Sequence, residues 1–375
     1  MSRTYTPGPI PSLGTSRAPR QSPRDALVTG LAATVDRAVM RTVAHVVQRR
    51  VLPRDVDLDM LRDSIERMLS SGLTQARADF FARPGRGTRA PVARSTVRRR
   101  LNDGRIFERR LRVAYRAHPL LRDDEAGSDA EIHVQHWQHE QETPRGTIII
   151  LHGFAMGWPA LDGFAQSARQ WYQRGLDVVL LTLPEHGARR PEGAVFSGQN
   201  FTVPHAMRLA GAVRQAVFEI LSVVAWLRER SSQPVGLMGM SLGGYLTSLA
   251  AGLSSDLDFA VPIVPPVCMG DLAWRVYRDT GHHRAGPDPI LNEQMMRAAF
   301  FLHSPLAHPL RLPRERTLIL AGAGDRIVPP EHPTALWRHW ERPQMLWLRG
   351  SHLAPVGSRR LVRGVTRHLE RLAIL

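Results

Sequence analysis

The sequence predicts an α/β fold, with a mostly parallel sheet of eight-stranded type and helices on both of its faces. Three observations carry this. Short, continuous apolar runs recur from the middle of the chain onward: "TIIIL" (147–151), "DVVLLTL" (177–183), "VGLMGM" (235–240), "FAVPIV" (259–264), "TLILAG" (317–322) and "QMLWLRG" (344–350). Runs of that kind suit strands buried on both faces. Helical patterns lie between them, at 160–174, 204–230, 242–252, 332–341 and 358–372. Strict alternation of the two is the signature of a parallel sheet covered by helices. Upstream, "IFERRLRVAYRAH" and "EIHVQHWQH" alternate as antiparallel edge strands do.

The first hundred residues read differently. Five prolines among Ser, Thr, Gly and Arg mark residues 1–24 as a disordered tail. Leu27, Leu31, Val35, Val39, Val43 and Val47 fall four apart, which makes one apolar stripe on a helix. A second helix is expected from Asp57 to a stop at Gly72, with Leu58, Leu61, Ile65, Met68 and Leu69 on one face. Residues 25–84 are thus a helical N-terminal extension. Two settings suit it: packing on the main domain or on a second subunit, as in a homo-oligomer, or an Arg-flanked amphipathic arm making peripheral contact with a membrane. The Arg-, Gly- and Pro-rich stretch 85–105 reads as a linker, and the α/β domain as 106–375.

The bulk chemistry narrows the function classes. The net charge is +16, and all 50 basic residues are arginine. This favours anionic substrates or surfaces in general. The arginines are spread along the chain with no nucleic-acid-binding signature, so no nucleic acid is expected. One cysteine, Cys268, allows no internal disulfide, and the apolar stretch 26–35 is broken by Gly30 and runs into Asp36 and Arg37. A cytoplasmic chain, in contact with a membrane at most peripherally, is the expectation.

The chemistry gathers around "GMSLGG" (239–244), which follows the strand run 235–240 directly and opens a helical pattern. In an open parallel sheet, functional groups collect at the carboxyl ends of the strands. A serine on so sharp a strand-to-helix turn needs small neighbours, supplied by Gly239 and Gly243, and its hydroxyl then stands clear of the backbone. The plain alternative is a serine capping the next helix. Later strand ends decide between them, because Asp325 follows 317–322 and His352 follows 344–350. A serine hydroxyl needs a base near neutral pH, and an imidazole base needs a carboxylate to fix its tautomer. After the run 147–151 comes "LHGFAMG", in which the amide of Phe154, with that of Leu242, is placed to form an oxyanion hole.

These residues resemble the α/β-hydrolase superfamily of serine esterases, lipases, thioesterases and peptidases. The resemblance covers about residues 106–375 and rests on "LHGFAMG", "LPEHGARRP", "GMSLGG", "GDRIVPP" and "GSHLAP", in the family's order. It implies Ser241 as nucleophile, His352 as base and Asp325 as orienting acid. One stretch departs from the pattern Asp-x-Pro-Gly-x-Gly, with Thr182 in place of Asp and Glu185 in place of Gly. The segment 266–314 is where this fold usually carries a lid. Trp274, Met295, Met296 and Phe300 there are candidates for an acyl pocket, or for packing the lid onto the sheet. Arg189 is a candidate grip for a substrate anion, or one of a solvated pair with Arg190.

The reading is a serine hydrolase that cleaves the carboxylic ester or thioester of a small molecule through an acyl-enzyme, with lipid-like or medium acyl chains favoured. No cofactor and no metal are expected. Acyl transfer on the same residues is the near alternative, and a non-catalytic binding or scaffold protein the distant one.

Overall fold

In the computed structural model the described residues are 12–15, 22, 26–27, 29–31, 33–34, 36, 56–74, 80–84, 90–121, 131–194, 196–201, 205–279, 288–353 and 355–375. The strands are β1 Val92–Arg100, β2 Gly104–Arg112, β3 Glu131–His139, β4 Gly146–Leu151, β5 Leu176–Thr182, β6 Val235–Met240, β7 Phe259–Ile263, β8 Leu318–Gly322 and β9 Gln344–Leu348. Among the described residues they form one sheet of nine strands in the order β1-β2-β3-β5-β4-β6-β7-β8-β9, one strand more than the eight-stranded expectation. β1, β2 and β3 pair antiparallel and β3 pairs antiparallel with β5, while every pairing from β5 through β9 is parallel.

The extra strand is β1, and it overturns the linker expected over 85–105. All nine of its residues are exposed, so it carries no apolar signal. It exists through its hydrogen-bonded register with β2, Val92 opposite Leu111 through Arg100 opposite Arg105. Its arginines crowd the outer edge with like charge, a device that keeps a bare edge from pairing with another chain.

Alternation along the central strands sorts side chains into two cores. Ile149, Leu151, Val179, Leu181 and Leu237 face one layer, and Ile148, Ile150, Val178, Leu180 and Met238 face the other. The first core is filled by α1 (Val56–Ser70), α4 (Ala206–Arg228) and α5 (Leu242–Leu253). The second is filled by α3 (Ala168–Tyr172) and α9 (Arg359–Arg371). α2 (Pro159–Ala165) precedes α3. The single helix expected over 160–174 is therefore two. Ser167 breaks it with a left-handed φ of 61°, and the Gln166 side chain is drawn off to donate to the Leu151 carbonyl. Among the described residues α4 alone is long and apolar enough to cross a membrane, but 94% of its apolar window is buried inside the fold, as befits a core helix.

The extension packs on the main fold. Ile65, Met68 and Leu69 of α1 are buried in the first core, and Ser64 Oγ accepts from the Met207 amide at the start of α4. Arg214 of α4 reaches back to the segment after α1 and to the residues after β2, donating at 2.7 Å to each of the Phe80 carbonyl, the Tyr115 hydroxyl and the Arg116 carbonyl. Residues 12–15 of the expected disordered tail are placed as well. Leu13 is buried, and Arg338 of α8 (Glu331–His339) donates to the carbonyls of Leu13 and Thr15.

Helical turns between residues 26 and 36 reverse the expected stripe: Leu27 and Leu31 are 65% and 64% exposed, while Ala33 and Asp36 are buried. The rest of that stripe lies outside the described residues.

Four buried histidines have their protonation suppressed by burial, His152 and His303 to about 3 and His186 and His368 to about 4. The unfolded chain binds protons at these sites near the ordinary value of 6.5, so it binds more than the native state. Their contribution to stability is present above that value and is lost as pH falls toward 4. Thermal melts across pH 7 to 4 are expected to show Tm falling over that window, with protons taken up on unfolding. A flat Tm over that window would contradict the neutral buried state of these rings.

Candidate active site

Ser241 sits between the end of β6 and the first turn of α5, at φ 57° and ψ −114°. A non-glycine residue there is strained, and its neighbours over-determine it. A Cβ on Gly239 would stand 2.3 Å from the Gly243 carbonyl oxygen, and one on Gly243 would stand 2.2 Å from that of Leu151. Neither contact is sterically allowed, so both glycines are required by the close approach of β6 to α5 and of α5 to β4. The Ser241 amide donates to Ile263 at the end of β7 (2.9 Å), which ties the turn to the next strand. The serine makes no side-chain cap on α5.

β8 and β9 end beside the turn. The Ser241 hydroxyl donates to His352 Nε2 at 2.9 Å, and His352 Nδ1–H donates to Asp325 Oδ2 at 2.7 Å. The other Asp325 oxygen accepts from the amides of Ile327 (2.9 Å) and Val328 (2.8 Å), so the carboxylate is fixed at both ends. Asp325 and His352 are buried, and Ser241 is partly open to solvent. The fold thus brings Ser241, Asp325 and His352 into one hydrogen-bonded chain, from positions 84 and 27 residues apart in sequence.

The loop after β4 closes over the turn. Gly153 stands against Ser241, since a Cβ on it would lie 3.7 Å from the serine Cβ. Phe154 follows it, and Leu242 is the first residue of α5, whose leading amides have no intrahelical acceptor. His152 holds this loop. Its Nδ1–H donates to the Gly153 carbonyl and its Nε2 accepts from the Leu183 amide, which requires one neutral tautomer. Burial, the neighbouring His186 and Arg189 keep it neutral. In the departing stretch, Glu185 adopts φ 60°, the left-handed conformation that a glycine there would take without strain.

The expectation for Arg189 is corrected, and the candidates in the 266–314 segment take the packing alternative. Arg189 does not face a substrate site. Its guanidinium is bound to Glu219 of α4 at 2.5 and 2.7 Å and to the Thr182 carbonyl at 3.0 Å, with side chains 8% and 0% exposed. Met296 and Phe300, in α7 (Glu293–Phe300), are fully buried in the first core, and Trp274 and Met295 pack against it. Trp274, in α6 (Met269–Asp279), stacks on Tyr277. These four side chains are thus taken up by packing. Cys268 is buried, which raises its thiol to about 11 and leaves it protonated.

Sequence reasoning missed the exposed apolar surface at the site. Leu353 follows His352 directly, Val356 is close behind, and Trp158, Leu161 and Phe164 of the α2 region are exposed as well. The Gly357 amide donates to the Ala165 carbonyl, which joins the two segments. No periodic signal marks them, because they sit on loops and on one short helix.

No family model matches the chain. It is 33% identical over 238 residues to an uncharacterized protein of Mycobacterium tuberculosis, found in strains CDC 1551 / Oshkosh and H37Rv. The match takes in 62% of this chain and 55% of the relative, so the chain spans about half the length of the curated relatives it matches. Two solved structures are similar. An acetyl xylan esterase from Paenibacillus sp. R4 is 16% identical, with 85% of this chain and 99% of that chain covered and a TM-score of 0.55. Acetyl xylan esterase 1 from Thermoanaerobacterium sp. JW/SL YS485 is 14% identical, with 85% and 98% covered and a TM-score of 0.56.

The buried Arg189–Glu219 pair gives a direct test of the corrected role. Removing one partner of such a pair leaves an uncompensated charge, at a cost of about 3–5 kcal/mol. Arg189→Ala is expected to lower Tm by many degrees. A variant with unchanged Tm and a weakened affinity for anionic substrates would restore the binding role instead.

With nine strands in this order and a serine on the β6–α5 turn, the chain has the α/β-hydrolase fold.

Proposed function

We propose that the protein is a serine hydrolase that cleaves carboxylic esters, thioesters included, through an acyl-enzyme on Ser241. The observation that carries the reading is the unbroken chain from Ser241 Oγ to His352 Nε2 and from His352 Nδ1 to Asp325, with the serine on a strained turn. The similarity in fold to two acetyl xylan esterases supports ester chemistry in general.

In this mechanism Oγ attacks the ester carbonyl carbon while His352 Nε2 takes its proton. The imidazolium that forms is stabilised by Asp325, which also holds the tautomer. Negative charge moves to the carbonyl oxygen, and its stabilisation is assigned to the Phe154 and Leu242 amides. Fixed donors of that kind typically lower the barrier by about 3–4 kcal/mol each. The carbon–oxygen or carbon–sulfur bond to the leaving group then breaks, and His352 returns its proton to the departing alkoxide or thiolate. Water, deprotonated by the same imidazole, attacks the acyl-enzyme, and the proton goes back to Oγ as the acid leaves. No cofactor enters these steps. Phe154, on the loop that carries Gly153, and Leu353 and Val356, on the loop that carries His352, are exposed and suit a substrate with an apolar acyl or alcohol group.

A fluorophosphonate probe tests the nucleophile without knowledge of the natural substrate. Wild-type protein is expected to be labelled at Ser241, and Ser241→Ala to remain unlabelled. Turnover of p-nitrophenyl esters is expected to drop by about 10⁴-fold or more in the same variant. Folded wild-type protein that takes up no label would leave a non-catalytic role as the better reading.

A further inference from the structure

A second buried carboxylate stands beside the base, and it comes from the N-terminal extension. Asp36 is fully buried. Its Oδ2 accepts from the backbone amide of His352 at 2.8 Å and from that of Arg326 at 3.2 Å. One oxygen thus bridges the loop after β9, which carries the base, and the loop after β8, which carries the acid. The other oxygen, Oδ1, is buried without a hydrogen-bond partner among the described residues.

The same helical turns make further contacts with these loops. Thr29 Oγ1 accepts from the Gly350 amide at 3.3 Å, two residues before His352. A Cβ on Gly324, next to Asp325, would meet Thr29 Cγ2 at 2.3 Å. The Gly324 amide donates to the Gly350 carbonyl at 2.8 Å, which links the two loops to each other beneath this contact. Thr29, Ala33 and Asp36 recur at the spacing of one helical face, and that face carries the contacts while Leu27 and Leu31 point outward.

A buried, half-satisfied carboxylate is costly and needs a reason. An apolar side chain of similar volume would leave the amides of His352 and Arg326 without this acceptor. What only an acceptor supplies is a fixed position for two amides at once. We propose that Asp36 is a positioning residue for the hydrolase, holding the backbones of His352 and Arg326 so that the imidazole stays in line between Ser241 and Asp325. This rests on the reading of Ser241, His352 and Asp325 as a working triad. Reactive geometry of this kind is sensitive to displacement, and a misplacement of about 1 Å costs on the order of 100-fold in rate.

The test compares Asp36→Ala and Asp36→Asn in the full chain. Asparagine keeps an acceptor oxygen at the same place and gives up only the charge, whereas alanine removes the acceptor. Asp36→Ala is expected to slow fluorophosphonate labelling of Ser241 by about 10- to 100-fold. Asp36→Asn is expected to stay within about threefold of wild type, since the hydrogen bonds survive. Rates are measured on protein shown to be folded by its melting curve. A merely structural role would lower Tm while leaving the labelling rate of the folded protein unchanged, and that result would overturn the proposal. So would an asparagine variant as slow as the alanine one. Amide hydrogen exchange at His352 and Arg326 gives a readout independent of reactivity. Exchange at both is expected to accelerate in Asp36→Ala, and unchanged protection would overturn the proposal even in a protein that takes no label. Absence of labelling in the wild type, by contrast, counts against the hydrolase reading itself.

Discussion

The site depends on how closely β6, α5 and β4 approach one another at Ser241. A serine held at φ 57° and ψ −114° stores strain on the order of 1–3 kcal/mol, and such a conformation persists only where the surroundings leave no other. Here they leave none. Gly239 and Gly243 admit no Cβ, the Ser241 amide is bound to β7, and the β4 loop lies across the turn at Gly153. Because the sheet is parallel from β5 to β9, the ends of β4, β6, β8 and β9 all open on the same edge. The hydroxyl, the imidazole and the carboxylate meet there as a consequence of topology, with no rearrangement needed to unite them.

What was legible in the sequence follows from which signals are local. Strands buried on both faces, such as 147–151 and 235–240, announce themselves as apolar runs, and each appears in the structure within a residue or two of its expected ends. The order Ser, Asp, His at strand ends is equally local, one residue read beside each run. β1 was illegible because an edge strand with every residue exposed has only pairing to define it, and pairing is not written in its own residues. The apolar residues of 266–314 told that a face would be buried, but not against what. Met296 and Phe300 pack into the core that α1 and α4 share. Arg189 is the same failure in charge: its partner, Glu219, lies thirty residues on, across a helix. Leu27 and Leu31 mislead because hydrophobic periodicity assumes the buried face is the apolar one, and there a threonine, an alanine and an aspartate turn inward.

The charge of the chain looks different once its arginines are traced. A net +16 suggests an anionic partner. Several guanidinium groups instead serve as cross-links inside the fold. Arg214 satisfies three acceptors from the segment after α1 and from residues 115–116, Arg189 neutralises Glu219, Arg338 donates to the carbonyls of residues 13 and 15, and Arg228 donates to the Asp256 carbonyl from two nitrogens. A planar fork with several donors suits carbonyl oxygens that no regular ladder reaches, which a lysine ammonium on a flexible stem does less well. Part of the basic excess is therefore architecture, and composition alone overstates how much of it is offered to a partner.

The extension belongs to the same argument. It stands outside the part of the chain that carries Ser241, Asp325 and His352, yet α1 is buried against α4 and the turns up to Asp36 lie on the loops of Asp325 and His352. A carboxylate is a poor choice for stability at a fully buried position. An apolar side chain would avoid the unpaired Oδ1 but would leave the amides of His352 and Arg326 without this acceptor. Fixing two amides from different loops to one oxygen is a geometric task that apolar contact cannot perform, because dispersion is not directional. If a displacement of the base by about 1 Å is enough to slow the reaction, then the residues that hold it are part of the reaction's machinery in the proposed sense, however far upstream in the chain they begin.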